Sequence, residues 1–193
     1  MREPLGIVLA GGRGSRMGQI TKADLKLGEE TLLARVEGRL APQCHDVVVV
    51  ANAPVQTKRA VIKDSIPGFL GPLAGILAGL KYAAGKDYDH IVTVAVDTPF
   101  FPCDLTPNLI LAGGEHPLGF AIAAGSDGLH GTFGLWPVAL AASLETFLND
   151  GNRKVRTFTE ANNACTALFP TPDPDMFFNI NTFEQLKDAE TWI

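Results

Sequence analysis

The sequence has little of what marks several common protein classes. Only three cysteines occur in 193 residues, Cys44, Cys103 and Cys165, and none belongs to a C-x-x-C pair. Their odd number and wide spacing argue against a disulfide framework and against a zinc site. The four histidines also lack metal-ligand spacing. We therefore expect the thiols to be reduced.

Positive charge and long apolar runs are also scarce. The formal net charge is −5 and no long basic run occurs, which argues against a nucleic-acid-binding surface. No apolar segment is long enough to span a membrane, and the first one is too short for a signal peptide. With 46% hydrophobic and 19% charged residues, residues 1–193 are expected to form a single globular, cytoplasmic domain.

A glycine-rich segment near the start of the chain has the clearest functional pattern. An apolar run, residues 6–10, is typical of a buried parallel strand and leads into four glycines within eight residues. Glycine lets successive backbone N–H groups turn toward one point, and such concave rows of amides bind anions. Arg13, Arg16 and Lys22 add positive charge, so we predict a phosphate site. A glycine-rich turn without a ligand, and a surface lysine at position 22, remain the alternatives.

Two familiar phosphate-binding motifs do not fit this segment. The dinucleotide fingerprint needs a glycine where Met17 stands and an acidic residue about 20 residues later, but the second strand ends near Asn52. A Walker A loop needs Gly-Lys-Ser/Thr, whereas Gly18 is followed by Gln19. The segment from Leu9 to Lys22 fits instead the nucleotidyltransferase signature L-A-G-G-x-x-x-R-M-G-x(3)-K.

Polar residues follow the next predicted strands, residues 47–51 and 90–96. Asn52 and Asp97 stand at their carboxyl ends, where open α/β sheets place their ligands. Asparagine is also a common turn former, and a carboxylate that leaves a buried strand needs either a helix cap or a metal ion. Mg²⁺ is typically held by one or two carboxylates plus substrate phosphates. Asp97 is therefore a candidate magnesium ligand.

A third candidate region follows the short predicted strand 60–62. Asp64 comes next, and Gly71-Pro72-Leu73-Ala74-Gly75 then opens a predicted helix, with proline in its first turn. Gly71 and Gly75 allow a backbone to approach a ligand, although tight helix packing alone would explain them too.

Together these motifs resemble the molybdenum cofactor guanylyltransferases, which belong to the larger group of nucleotidyltransferases with a Rossmann-like fold. The resemblance rests on the first loop, on Asp64 with the G-P-L-A-G box, on the D-T-P segment 97–99 and on the N-x-N-T segment 179–182. It runs nearly end to end and is strongest over residues 5–105. Most of the larger group shares the first loop, which therefore indicates the reaction type better than the substrate.

The resemblance implies transfer of GMP from GTP to molybdenum-bearing molybdopterin, with release of pyrophosphate. Lys22, Arg16 and Asp97 would be catalytic, Asp97 would bind Mg²⁺, and Asp64 would read guanine. The nucleotide-binding set would be Leu9, Ala10, Gly11, Gly12, Gly14, Ser15, Met17, Gly18, Lys22, Asn52, Asp64, Gly71 and Asp97. The acceptor would contact Arg153, Lys154, Asn179 and Asn181, although a solvated helix face and a polar turn would look the same. Transient contacts with cofactor-biosynthesis proteins or molybdoenzymes would follow.

Some residues depart from the family pattern. Thr21 replaces an aspartate, residues 28–31 replace a Gly-Lys/Arg-Pro segment, and Gly131 follows His130 where the family has proline. Asp24-Leu25 also stands where the family has Leu-Leu. Asp24 and the two glutamates within residues 28–31 lower the positive charge beside the loop. Two alternatives therefore stay open. One is a related nucleotidyltransferase that uses CTP or another acceptor, of cytidylyl or sugar-phosphate type, and the other is a nucleotide-binding accessory protein without catalysis.

Strands alternate with helices along the chain, which predicts an α/β fold. We expect a three-layer α/β/α sandwich around a mostly parallel, Rossmann-like sheet, of the nucleotide-diphospho-sugar transferase type. The remaining predicted elements are helices over 31–41, 137–149 and 153–160, strands over 120–123, 132–136 and 164–169, a helix capped by Asp104 and a C-terminal helix capped by Thr182.

Overall fold

A computed structural model describes residues 2–11, 21–64, 71–170 and 175–193. The strands within these ranges are β1 (Leu5–Leu9), β2 (Lys26–Leu27), β3 (Glu30–Thr31), β4 (Asp46–Val50), β5 (Ala60–Ile62), β6 (His90–Ala95), β7 (Ala121–Gly125), β8 (Gly128–Pro137) and β9 (Cys165–Leu168). The α-helices are α1 (Leu32–Leu40), α2 (Pro72–Ala84), α3 (Leu105–Gly113), α4 (Ala141–Asn149), α5 (Val155–Ala161) and α6 (Phe183–Ala189). None of these helices is long and apolar enough to cross a membrane.

Seven strands form one sheet in the order β5-β4-β1-β6-β8-β7-β9. β1 pairs in parallel with β4 and β6, and β7 pairs in parallel with β9. Among the described strands of this sheet, only β8 runs antiparallel to its neighbours. The predicted mostly parallel sheet is therefore confirmed. β1 lies between β4 and β6, so the glycine-rich segment leaves the sheet at the middle of its carboxyl edge.

Helices cover both faces of the sheet, as a three-layer sandwich requires. The valine run of β4 shows why the strands are apolar on both sides, because side chains alternate between the two faces of a sheet. Val47 and Val49 pack in the core that contains residues of α1 and α3. Val48 and Val50 pack in the opposite core, which contains residues of α2, α4 and α5. All four valines are at most 1% exposed.

Local capping chemistry fixes several helix starts. Thr31 caps α1 by accepting a hydrogen bond from the Ala34 N–H, and Thr182 forms a reciprocal capping box with Gln185 at α6. Asp104 does precede α3, but the prediction that its side chain caps this helix is wrong. Its backbone carbonyl instead accepts from the backbone N–H of Asn108 at 3.2 Å and from that residue's side-chain amide at 2.8 Å.

The second half of the sheet is built around a hairpin. β7 and β8 pair from Gly125–Gly128 back to residues 121 and 135, with an irregularity between Ile122 and Ala124. β8 is therefore much longer than the predicted strand 132–136. The predicted helix 137–149 begins later, because residues 138–140 form a 3-10 turn before α4.

Candidate active site

A cleft with a volume of about 410 Å³ opens at the carboxyl edge of the sheet. Open α/β sheets bind their ligands at this edge. Its lining comes from the ends of β1, β4 and β6, from the start of α2 and from β8: Leu9, Gly11, Lys22, Val50, Asp64, Gly71, Pro72, Gly75, Ala95, Val96, Asp97 and Thr132. Residues of the predicted nucleotide site are thus neighbours in space although they are far apart in the sequence.

Lys22 and Asp97 meet at this cleft. The Lys22 Nζ atom lies 2.7 Å from Asp97 Oδ2 and 2.5 Å from Asn181 Oδ1. The side chains of Lys22 and Asp97 are 15% and 22% exposed, so the ion pair is partly shielded from water yet open to the cleft. The Lys22 ammonium and the Asp97 carboxylate therefore border the space that a phosphate chain would fill.

Two further hydrogen bonds hold Asn181 next to Asp97. The Ile180 N–H donates to the Asp97 carbonyl at 2.8 Å. The buried Thr98 hydroxyl donates to Asn179 Oδ1 at 2.9 Å. The N-x-N-T segment therefore runs alongside the end of β6. The structure brings Asn181 to Lys22, while the side-chain oxygen of Asn179 is bonded to Thr98.

Asn52 and Asp64 form a second polar pair in the same region. Asn52 Nδ2 donates to Asp64 Oδ2 at 2.7 Å, and the Asp64 backbone N–H donates to Asn52 Oδ1 at 3.1 Å. The first turn of α2 lies close by. A Cβ atom on Gly75 would lie 2.9 Å from Leu9 Cδ2 and 3.6 Å from Asp64 Oδ1. Glycine at position 75 therefore lets α2 approach β1 and leaves room beside the carboxylate.

Part of the predicted phosphate loop lies outside the described residues. This part comprises Gly12, Gly14, Ser15, Arg16, Met17 and Gly18. Its flanks are described: the Ala10 N–H donates to the Val50 carbonyl at 2.9 Å, and Gly11 lines the cleft. Gly71, the residue directly before α2, also lines the cleft. The roles assigned to all these residues stay predictions.

A second cavity, of about 530 Å³, lies between the β7–β8 hairpin and α5. Thr132 lines both this cavity and the first cleft, so the two spaces adjoin. His130 also lines it and stacks on Phe177, with ring centroids 4.0 Å apart. A Cβ atom on Gly131 would lie only 2.8 Å from Val155 Cγ1. Glycine in place of the family's proline thus lets α5 pack closely against β8.

The basic residues around α5 take different positions. Arg153 donates to the carbonyl oxygens of Leu148 at 2.6 Å and Asn152 at 2.5 Å. It therefore binds the end of α4, and neither Arg153 nor Lys154 lines the second cavity. Arg156 does line it, and its Nε atom donates to Glu160 at 2.7 Å. This hydrogen bond raises the pKa of Arg156, which is a cation in any case.

Two carboxylates line the first cleft, Asp64 and Asp97; Asp64 is hydrogen-bonded to Asn52, so Asp97 is the candidate for holding a metal ion. No group of three His, Cys, Asp or Glu side chains comes together in the described ranges. Asp97 Oδ2 contacts Lys22, and the other oxygen has no hydrogen-bond partner among the described residues. Mg²⁺ prefers oxygen ligands and is often held by a single carboxylate, waters and substrate phosphates. The site therefore fits such an ion, whose presence stays a prediction.

Sequence reasoning missed two residues of this region. Thr132 joins the two cavities, and nothing in the local pattern marks it. Gln185 anchors the N-x-N-T segment. The sequence does indicate its role, since glutamine three residues after an N-cap threonine is typical of a capping box.

A mostly parallel sheet covered on both faces, with Lys22, Asp64 and Asp97 lining a cleft at its carboxyl edge, is the α/β architecture of the Rossmann-like nucleotidyltransferases. Comparison with known proteins agrees with this class and narrows it. Residues 6–165 match the family model described as the MobA-like NTP transferase domain. The chain belongs to this family.

Individual relatives are similar over nearly their whole length. The molybdenum cofactor guanylyltransferase of Rhizobium meliloti (strain 1021) is 43% identical over 205 residues, covering 98% of this chain and 92% of its own length. The protein of the same name from Rhizobium johnstonii is 45% identical over 195 residues, covering 97% and 92%. Among solved structures, molybdopterin-guanine dinucleotide biosynthesis protein A of Archaeoglobus fulgidus matches with a TM-score of 0.75, 25% identity and 97% coverage of both chains. The predicted family and fold are confirmed.

Proposed function

We propose that this protein is a molybdenum cofactor guanylyltransferase. It transfers GMP from GTP to the terminal phosphate of molybdenum-bearing molybdopterin and releases pyrophosphate. One observation carries the proposal: Lys22 and Asp97 meet at a cleft that is also lined by Asp64, the hydrogen-bond partner of Asn52. The identity of the acceptor rests on the names of the relatives.

Asp64 is the residue that selects guanine. Guanine presents its N1–H and 2-amino group as two adjacent donors, and an ionised carboxylate accepts both. Cytosine has no such pair of donors. The Asn52 side-chain amide donates to one Asp64 carboxylate oxygen at 2.7 Å, and the Asp64 backbone N–H donates to the Asn52 side-chain oxygen at 3.1 Å. The carboxylate therefore has a defined orientation before the base binds. This pair favours GTP over CTP.

The reaction needs positioning and charge balance rather than a protein nucleophile. An oxygen of the acceptor's terminal phosphate attacks the α-phosphorus of GTP, a new P–O bond forms, and the bond to the β-phosphate breaks. The attacking oxygen is already anionic, so no proton has to be removed from it. Lys22 balances the negative charge that builds on the α-phosphoryl oxygens and on the leaving pyrophosphate. Arg16 and the loop amides bind the triphosphate.

Asp97 would hold Mg²⁺ through the carboxylate oxygen that does not contact Lys22. Such an ion, when bound, would supply positive charge that screens the triphosphate. Asp97 has a second role, because its Oδ2 atom lies 2.7 Å from Lys22 Nζ and orients the ammonium toward the cleft.

The acceptor occupies the second cavity. This cavity adjoins the nucleotide cleft at Thr132, so an acceptor bound there would lie next to the nucleotide. Arg156 and Asn179 face this space and supply a cation and an amide for it. Arg153 and Lys154, which we predicted as acceptor contacts, lie between α4 and α5 and do not line this cavity.

The three cysteines are free, which suits a reducing compartment. This supports our proposal of a cytoplasmic enzyme. Transfer of the finished cofactor to cofactor-biosynthesis or molybdoenzyme partners stays a prediction.

A nucleotide panel tests the proposal. The protein is incubated with Mg²⁺, molybdenum-bearing molybdopterin and each of GTP, CTP, ATP and UTP, and the products are analysed by mass spectrometry. A guanine dinucleotide and stoichiometric pyrophosphate are expected with GTP. A preference for CTP supports the cytidylyl alternative, and nucleotide binding without any adduct supports the accessory-protein alternative.

A further inference from the structure

Gln185 makes more hydrogen bonds at the start of α6 than a helix cap needs. In a capping box the side chain at this position accepts from the N–H of the N-cap residue, here Thr182, and the observed distance is 3.1 Å. The same oxygen also accepts from the N–H of Asn181, at the shorter distance of 2.8 Å. The Gln185 N–H in turn donates to the Thr182 hydroxyl at 3.2 Å. One side-chain oxygen therefore holds two successive backbone N–H groups, and one of them lies outside the helix.

This extra bond leads to the lysine at the cleft. The residue it holds, Asn181, presents its side-chain oxygen 2.5 Å from Lys22 Nζ. On the other side of Asn181, the Ile180 N–H is bonded to the Asp97 carbonyl at 2.8 Å. Asn181 is thus anchored from both directions, and its backbone cannot shift without breaking a contact to Asp97 or to Gln185.

We propose that Gln185 is a positioning residue for Lys22 and that it acts through Asn181. By fixing the Asn181 backbone, Gln185 keeps a second acceptor on the ammonium, whose first acceptor is Asp97. With two fixed acceptors the nitrogen points in one direction, toward the cleft. The kinetic consequence rests on the proposed function, whereas the effect on the Lys22 nitrogen does not.

Three variants separate positioning from helix stability. Gln185→Leu removes the acceptor at similar side-chain size, and Gln185→Glu keeps an acceptor at the same place. Ala189→Gly serves as the matched control, because Ala189 is the buried last residue of α6 and has no part in the contacts of Asn181. Thermal melts of all three variants show how much each one weakens the fold.

The first readout is competitive amine labelling of the intact protein, with peptide mass analysis. Labelling at Lys22 is compared with labelling at the exposed Lys58 in the same sample. Several-fold faster labelling of Lys22 is expected in Gln185→Leu, with wild-type labelling in Gln185→Glu and in Ala189→Gly. Unchanged labelling in Gln185→Leu, or an equal increase in Ala189→Gly, overturns the proposal.

The second readout is steady-state GMP transfer. Misplacing a catalytic group by about 1 Å can cost as much as 10²-fold, so a fall in kcat of roughly tenfold is expected in Gln185→Leu, with KM for GTP nearly unchanged. Gln185→Glu restores kcat. A change confined to KM overturns the proposal. If the wild-type protein transfers no GMP, the proposed function is wrong, and the labelling experiment still decides the role of Gln185.

Discussion

Replacing Lys22 by alanine tests the core of the proposed mechanism. The substitution removes an ammonium that lies 2.7 Å from Asp97 and lines the nucleotide cleft. Loss of one donor that stabilises transition-state charge typically costs about 10²–10³ in turnover, which corresponds to about 2.7–4 kcal/mol. We expect a fall of this size in kcat for GMP transfer, because no other cation of the described residues lines this cleft.

The same substitution should change the free energy of unfolding much less. Exposed ion pairs contribute about 0.2–1 kcal/mol, and breaking a fully buried pair costs about 3–5 kcal/mol. The partners here are 15% and 22% exposed, but they border an open cleft from which water can hydrate the remaining carboxylate. We therefore expect a loss of about 1 kcal/mol, or roughly 2–4 °C in Tm for a chain of this length.

Pyrophosphate release with GTP as the sole nucleotide measures the change in turnover, and a thermal melt measures the change in stability. Lys26→Ala is the matched control, since Lys26 lies four residues further along, is exposed and does not line the cleft. It should keep wild-type turnover. Near-wild-type transfer by Lys22→Ala would refute the role assigned to the ammonium, and an equal loss in Lys26→Ala would show that general charge, rather than this contact, is responsible.

Four further outcomes are expected. Asp97→Ala should lose turnover together with its Mg²⁺ dependence, and metal-dependent turnover that persists would place the metal elsewhere. Asp64→Asn should lower kcat/KM for GTP by about 10–100-fold, the value of one charged hydrogen bond, with little change for ATP; an equal loss for both nucleotides contradicts base recognition. Burial raises the pKa of the Cys44 thiol to about 12 from 9.0, so at pH 8 an alkylating reagent should modify the exposed Cys103 first and Cys44 last. The Cys44 thiol ionises near pH 9 in the unfolded chain but only near pH 12 in the folded protein. The contribution of this thiol to the free energy of unfolding is therefore fully present below pH 9 and is lost as the pH rises toward 12, whereas Cys44→Ala lacks this pH dependence.

The sheet and the ends of its strands could be predicted because their signals are local. The valine run 47–50 is buried on both faces, and such a run is typical of a central parallel strand. Asn52 and Asp97 follow two such strands directly. Since the carboxyl ends of parallel neighbours lie at one edge, a shared location for these side chains followed from the strand assignment alone.

The rest depends on contacts that no local pattern contains. Asn181 is 159 residues from Lys22 in the sequence, and their contact requires the chain to return to the end of β6 after the elements of the second half. The direction and length of β8 were also not predicted. The Gly-Ser-Asp-Gly segment 125–128 is the signal that would have placed the hairpin, since clusters of Gly, Ser and Asp between apolar runs are typical of turns.

The geometry of the site follows from the register of two strands. Leu9 pairs with Ala95, and the Val96 N–H still donates to the Leu9 carbonyl at 3.1 Å. Asp97 therefore emerges one residue beyond the last bond that ties β6 to the strand leading into the glycine-rich segment. A slip of one residue would turn Asp97 to the opposite side and would also exchange the two buried faces of β6. Because Val92 and Val94 pack in one core and Ile91 in the other, that slip would disturb both cores at once. The apolar packing that stabilises the sheet thus also fixes where the carboxylate meets Lys22.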